Sequence, residues 1–344
     1  MYGKKLICGV AAIGALASVA LIGGPRPALA QEVSLRLHTF VPPPSRSFKN
    51  LTWWAKKVEK DSGNKIQIKL FPSRQLGGKP SELYDQARKG FVDFIYSLPG
   101  YTPGRFPRSE VIELPFIGGK SSKIVSPAIS SIYDKWLKDD YKDTHPILIF
   151  ASGPYGLFSH KPIKKISDLK GQKIRVSGRV VGGAIKAIGA TPVGIPGIKM
   201  AEAFQRHVID TVFTAWTIAL PTKIIRMSSH FAIPGMTSGV LMVVMNKKSY
   251  GRLSGPMKKV LDANSRKNLA GEFGARWEKD DLRPMAAARK SGKPFHTYSA
   301  AQQKRWASAA ASVTSGWISD MNKKGIDGAG LVKAARAAIA KYSK

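Results

Sequence analysis

VSLRLHTFVPPPSRSFKNLTWWAKKVEKDSGNKIQIKLF, residues 33–71, alternates, turns helical and alternates again. Val33, Leu35 and Leu37 recur at every second position, as on one face of a strand. Phe48, Leu51, Trp54, Ala55 and Val58 fall on one face of a helix, and Ile66, Ile68 and Leu70 return to the strand period after the Gly63-Asn64 turn. Strand, helix and strand in that order build a mainly parallel sheet with helices on its faces. A second helix opens at Pro80-Ser81 with Leu83, Tyr84, Ala87 and Phe91 apolar, and FVDFIYSL (91–98) supplies the next strand. The fold class is α/β.

The pattern then restarts. HPILIFAS (145–152), KIRV (173–176) and TPVGI (191–195) read as strands, VVGGAIKAIGA (180–190) as a helix, and KMAEAFQRHVI (199–209) as a helix leading into DTVFTAW (210–216). GVLMVVMN (239–246) has the unbroken apolar run of a buried strand and is expected to return the chain to the first lobe. After Pro256 a long helical stretch passes Val260, Leu261, Leu269 and Phe273 and ends near Leu282. Trp306, Ala310, Val313, Trp317 and Met321 form the core-facing stripe of a final helix, and the Lys- and Ala-rich tail from Lys333 is expected to be a frayed surface helix. The expected division is a leader over 1–30, a first lobe over 31–152, a second over 153–240, a return with the connecting helix over 241–282, and C-terminal helices over 283–344 packing on both lobes. Two lobes joined by more than one strand make a hinge with a cleft.

Working outward to the ends, Lys4 and Lys5 precede an apolar run from residue 6 to 23 and a small-residue site ending Ala28-Leu29-Ala30. That is the layout of a cleavable secretory signal, cut after Ala30; a permanent anchor needs a longer and less glycine-diluted run. Cys8, the only cysteine, lies inside it, which excludes disulfides, zinc–thiolate sites and a cysteine nucleophile in the mature chain. The net charge is +33, of which Lys4, Lys5 and Arg26 are the leader's share. The remaining cations are dispersed from Arg36 to Lys344 with no dense block and no nucleic-acid motif, so the expectation is a solvated basic surface that also attracts anions, without nucleic acid as a partner.

Bond-making chemistry finds no support. Gly118-Gly119-Lys120-Ser121 ends like a phosphate-binding loop, but Leu114 stands where that motif needs a glycine, and VPPPSRSF (41–48) replaces the glycine-rich turn of a dinucleotide site. The six histidines, His38, His145, His160, His207, His230 and His296, show no metal-ligand spacing, and no GxSxG elbow occurs. No cofactor, metal or catalytic residue is expected.

KISDLKGQKIRVSGRVVGGAIKAIGATPVGIP (165–196), followed by AEAFQRHVIDTVFTAW (201–216), resembles the core signature of solute-binding subunits of tripartite ATP-independent periplasmic (TRAP) transporters, the DctP-type family. The likeness begins with QLGGKPSELYDQARKGFVDFIYSLPGYTPGRFP (75–107) and ELPFI (113–117) and continues to Asn246. It implies a two-lobed periplasmic binding protein of Venus-flytrap form, exported to the periplasm, monomeric, and handing a small organic acid to integral membrane subunits. It also implies that Arg175 forms a salt bridge to the ligand carboxylate. A guanidinium suits that task because it offers two parallel donors to two oxygens.

Three departures stand out. Tyr155 follows Gly153 where many relatives carry a second arginine, and His207 and Thr211 replace two glycines. Phe40, Leu98, Tyr101 and Phe116 after first-lobe strands, and Tyr155, Phe213 and Trp216 in the second lobe, are the expected cleft lining, since ligands of such sheets bind beyond the strands' carboxyl ends. Trp216 is the preferred stacking residue. The expected solute is a monocarboxylate with an apolar or aromatic body. The alternative is a C4-dicarboxylate, with Arg179 or another of the many cations replacing the lost arginine. Further rivals are the binding protein of an ATP-driven importer, a secreted enzyme acting on an organic acid, and a basic scaffold for acidic polymers.

Overall fold

The computed structural model describes residues 32–344; the leader, its cleavage site and Cys8 lie outside the described residues. β1 (Val33–Thr39) turns each second apolar residue into the core, and α1 (Arg46–Asp61) starts at Ser45, whose hydroxyl accepts the Phe48 N–H at 3.2 Å. β2 (Ile66–Phe71) lies parallel to β1. α2 (Leu83–Lys89) stops at Gly90, whose φ of +80° closes the helix in the left-handed region, and the buried β3 (Phe94–Ser97) joins β1 on its other side. α3 (Ser122–Ser131) and β4 (His145–Pro154) complete the first pass.

β4 runs through Tyr155 straight into β5 (Gly156–Ser159), which belongs to a second sheet with β6 (Lys173–Val176), β7 (Thr191–Gly194), β8 (Thr211–Thr214) and β9 (His230–Ile233). α4 (Arg179–Ala187), α5 (Met200–Gln205) and α6 (Ile224–Met227) connect these strands. β10 (Ser238–Met245) returns to the first sheet and is buried along its whole length. α7 (Lys247–Gly251), α8 (Gly255–Ala263) and α9 (Arg266–Lys290) follow, then β11 (Phe295–Thr297), which joins the second sheet, and α10 (Ala300–Ala309), α11 (Ala311–Lys323) and α12 (Gly328–Tyr342).

The strand orders are β2-β1-β3-β10-β4 and β11-β9-β5-β8-β6-β7. Each sheet is parallel except for one strand, β10 in the first and β5 in the second, and each of these has just crossed from the other lobe. The two crossings lie side by side, with the Tyr155 N–H donating to the Thr237 carbonyl at 3.0 Å. α9 is the third link, packing on α3 and β4 of the first lobe and reaching α6 in the second.

Several sequence expectations are corrected. The long helix breaks at Asn264-Ser265, and its second part passes Pro284 to end at Lys290 rather than near Leu282. The expected final helix is two helices broken at Ala310, so its stripe divides: Trp306 packs in the second lobe, Trp317 and Met321 in the first. The tail is not frayed. α12 buries Leu331, Val332, Ala335, Ala338 and Ile339 against the first core beside α3, a helical stripe in which alanine supplies the apolar face. His207 keeps a φ of +55°, the conformation a glycine would take freely, whereas Thr211 sits in regular strand and its hydroxyl donates to Gln172 at 2.6 Å. His38 is a satisfied core residue: its Nε2 accepts from the Leu76 N–H and its Nδ1 donates to the Gln86 side-chain oxygen, while burial lowers its pKa and keeps it neutral.

Candidate functional site

A cavity of about 500 Å³ lies between the lobes, walled by segments that follow the carboxyl ends of strands from both sheets. Phe40, Val41, Ser45 and Ser47 come from the turn after β1, Ser73 and Arg74 from that after β2, and Leu98 and Tyr101 from that after β3. The second lobe contributes Arg175 and Ser177 from β6 and its end, and Thr214, Ala215 and Thr217 from β8 and its end. Tyr155 stands at the crossing, and Trp277 enters from α9. No acidic residue lines the cavity among the described residues.

Arg175 is 2% exposed and sits on β6 between β7 and β8. Its Nε donates to the Ile195 carbonyl at 2.8 Å and its Nη1 to the Phe213 carbonyl at 3.4 Å, one from each flanking segment, which fixes the plane of the guanidinium. Nη2 and the second Nη1 hydrogen have no partner among the described residues, and no carboxylate pairs with the group. A buried cation without a counter-ion is costly, so the site is built for an anion.

Phenols surround it, and burial keeps those of Tyr155 and Tyr96 neutral. The Tyr155 hydroxyl bonds the Ser177 hydroxyl at 3.1 Å, and burial raises its pKa; Arg175 and Tyr101 are among its charged and polar neighbours. Burial likewise raises Tyr96, which lies next to Ser47 and among the same phenols. Phe40 stacks on Tyr96 at 5.9 Å and meets Tyr101 edge-on at 5.5 Å, giving the first-lobe wall a flat aromatic surface. The Tyr101 hydroxyl accepts the Gly197 N–H at 3.0 Å, which ties that wall to the second lobe.

Phe40, Leu98, Tyr101, Tyr155 and Arg175 therefore meet in one cavity, and four other sequence candidates do not. Trp216 is fully buried in the second-lobe core, stacked on Phe295 at 5.5 Å and packed on Phe158 at 4.6 Å. Its indole covers Gly156 so closely that a β-carbon there would meet it at 2.6 Å. Its neighbours Ala215 and Thr217 face the cavity instead. Phe213 points the opposite way from Thr214, as strand alternation requires, and packs edge-on under Tyr155 at 5.3 Å; its carbonyl, not its ring, serves the site. Phe116 packs against the second-lobe core in a positive-φ turn. Arg179 is engaged elsewhere, giving both oxygens of Glu110 a bond at 3.0 and 2.6 Å and lying 3.5 Å from Asp320.

Ser47, Tyr96, Arg74, Lys223 and Trp277 line the cavity without having been singled out. VPPPSRSF held the signal for Ser47, since a turn between a strand end and a helix start is where such a fold places ligand contacts. Trp277 carries no local signal, because it comes from a helix about a hundred residues beyond the motif.

A model of bacterial extracellular solute-binding proteins, family 7 (DctP), matches residues 37–320. A solved TRAP solute-binding protein from Rhodoferax ferrireducens T118, in complex with copurified benzoate, is 34% identical, with a TM-score of 0.87 over 90% of this chain and 98% of its own. A marine-metagenome TRAP solute-binding protein specific for aromatic acid ligands, co-crystallised with 3-hydroxybenzoate, is also 34% identical, with a TM-score of 0.88 over 91% of this chain and 100% of its own. Among curated proteins, the outer membrane transporter protein TsaT of Comamonas testosteroni is 25% identical over 346 residues, 95% of this chain and 96% of that one.

Proposed function

The chain belongs to family 7 of the bacterial extracellular solute-binding proteins, and from that premise we propose that it captures a monocarboxylate with an aromatic body in the periplasm for a TRAP transporter. The observation that carries this reading is Arg175, buried, oriented by two carbonyls and lacking any carboxylate partner among the described residues. A ligand carboxylate receives two parallel hydrogen bonds from Nη1 and Nη2, and the hydroxyls of Tyr155 and Tyr101 stand beside it. The ring lies against Phe40 and Tyr96, where offset or edge-on contact with an aromatic body is favourable. Benzoate and 3-hydroxybenzoate in the two solved relatives support the same ligand class.

Arg179, the cation named for a second ligand carboxylate, is bound to Glu110 away from the cavity, and the cations that do line it beside Arg175, Arg74 and Lys223, stand at its exposed end. The site binds without catalysis: capture, closure over the solute, and release to integral membrane subunits. The solved relatives are TRAP proteins, which favours that transporter over an ATP-driven importer. The test is a thermal-shift and calorimetric screen on protein freed of ligand by unfolding and refolding. Benzoate and other aryl monocarboxylates are expected to stabilise the chain strongly, and succinate, malate and fumarate weakly. Stabilisation by the short dicarboxylates alone would sink the aromatic reading.

A further inference from the structure

The cavity has a second, outer end with a chemistry of its own. A cavity of roughly 150 Å³ is enough for a benzene ring. The one here, at about 500 Å³, exceeds what a single-ring acid seated on Arg175 fills. The surplus runs outward: Arg175 is buried, whereas Ser73, Arg74, Ile198 and Lys223 line the same cavity and are exposed to solvent. Arg74 comes from the first lobe and Lys223 from the second, and neither has a carboxylate partner among the described residues.

The backbone singles out the same place. Seven non-glycine residues among those described have positive φ, and three of them, Ser73 at 52°, Arg74 at 62° and Lys223 at 61°, line this cavity. Such conformations are costly for residues other than glycine and persist where surrounding structure holds them, often at ligand clamps. Val41, Ile198 and Pro221 add apolar wall to the same cavity.

We infer that the cavity takes an elongated aryl acid, with its carboxylate on Arg175 and a hydrogen-bond-accepting group at its far end between Arg74 and Lys223. This rests on the aromatic-acid reading above and extends it from one ring to a body about two rings long. The apolar lining accepts the extension, and the cations from opposite lobes read its tip only when the lobes are closed.

The test compares calorimetric affinities of benzoate, para-phenylbenzoate, and the two derivatives of the latter that carry a hydroxyl or a methyl at the far para carbon. Para-phenylbenzoate is expected to bind at least tenfold more tightly than benzoate, and the hydroxyl derivative about tenfold more tightly than the methyl one. In the double variant Arg74→Ala/Lys223→Ala the advantage of the hydroxyl over the methyl derivative is expected to vanish. Benzoate binding more tightly than every two-ring acid overturns the extension and leaves the aromatic-acid reading intact. Equal affinity for the hydroxyl and methyl derivatives, or an advantage that survives the double variant, removes the outer subsite. Failure of all four acids to bind overturns both readings.

Discussion

At the residue scale, Arg175 could be singled out because its strand motif is short and few side chains share the chemistry proposed for it. Its neighbours were legible only up to phase. Phe213 and Thr214 end a strand and face opposite ways, Trp216 opens the following turn with its ring in the core, and aromatic character pointed to these two positions that turn inward. Small polar Thr214 and Thr217 face the ligand space because the volume there must stay empty. Replacing Arg175 by Lys keeps the charge but loses the parallel donors and the two carbonyl contacts that orient them. Carboxylate binding is expected to weaken by about 2–5 kcal/mol, the usual penalty for breaking a buried charged pair. The far-ultraviolet spectrum and thermal midpoint of the empty protein should be little changed. Undiminished calorimetric affinity in this variant would remove Arg175 from the site.

At the scale of elements, the periodic strands and α1 were readable because their apolar spacing matches one geometry. Breaks were not: Ala310 and Asn264-Ser265 interrupt helices without a proline or glycine to mark them, and α12 hid its buried face in alanine. The crossing strands also gather buried carboxyls that composition cannot reveal. Glu113 accepts the β10 Val240 N–H at 3.3 Å, and burial pushes its carboxyl up to about 8 from an ordinary 4.5. Across that window the folded chain keeps a proton that the unfolded chain has released, so stability falls as pH rises through it and levels off above. Buried Asp140, raised to about 6, acts in the same direction. Below the ordinary histidine value, His38 and His145, lowered chiefly by burial, act oppositely, so the comparison must be made against the parent chain. Glu113→Gln keeps an acceptor and cannot ionise. Its thermal midpoint is expected to fall a few degrees less than the parent's between about pH 5 and about pH 9. Parallel midpoint curves for the two proteins would mean that Glu113 does not carry that slope.

At the scale of the whole molecule, the lobes meet directly at the rim of the cavity. The loops at Gly100 and Gly178 approach so closely that a β-carbon on Gly100 would lie 3.0 Å from the Ser177 carbonyl oxygen. The strongest polar contact there is Arg179, at the start of α4, on the buried Glu110 of the first lobe, with the Trp317 indole N–H also on Glu110 at 3.2 Å. A ligand's apparent affinity includes the work of closing the lobes, so a contact present only when closed strengthens every ligand by one common factor. Arg179→Ala removes both bonds to Glu110 and leaves that carboxylate with the indole alone. Affinities for benzoate and for longer aryl acids are expected to fall together by roughly tenfold, within the usual range of coupling energies. The loss should appear mainly in the dissociation rate, since encounter occurs with the open form. Small-angle scattering should show the ligand-free variant no more compact than the parent, and both contracting at saturation. Arg175→Lys, by contrast, acts on the carboxylate itself and should leave closure geometry at saturation intact. Unequal losses across ligands in Arg179→Ala would return Arg179 to the ligand-contacting set, and an unchanged affinity would mean that the clamp contributes nothing to closure.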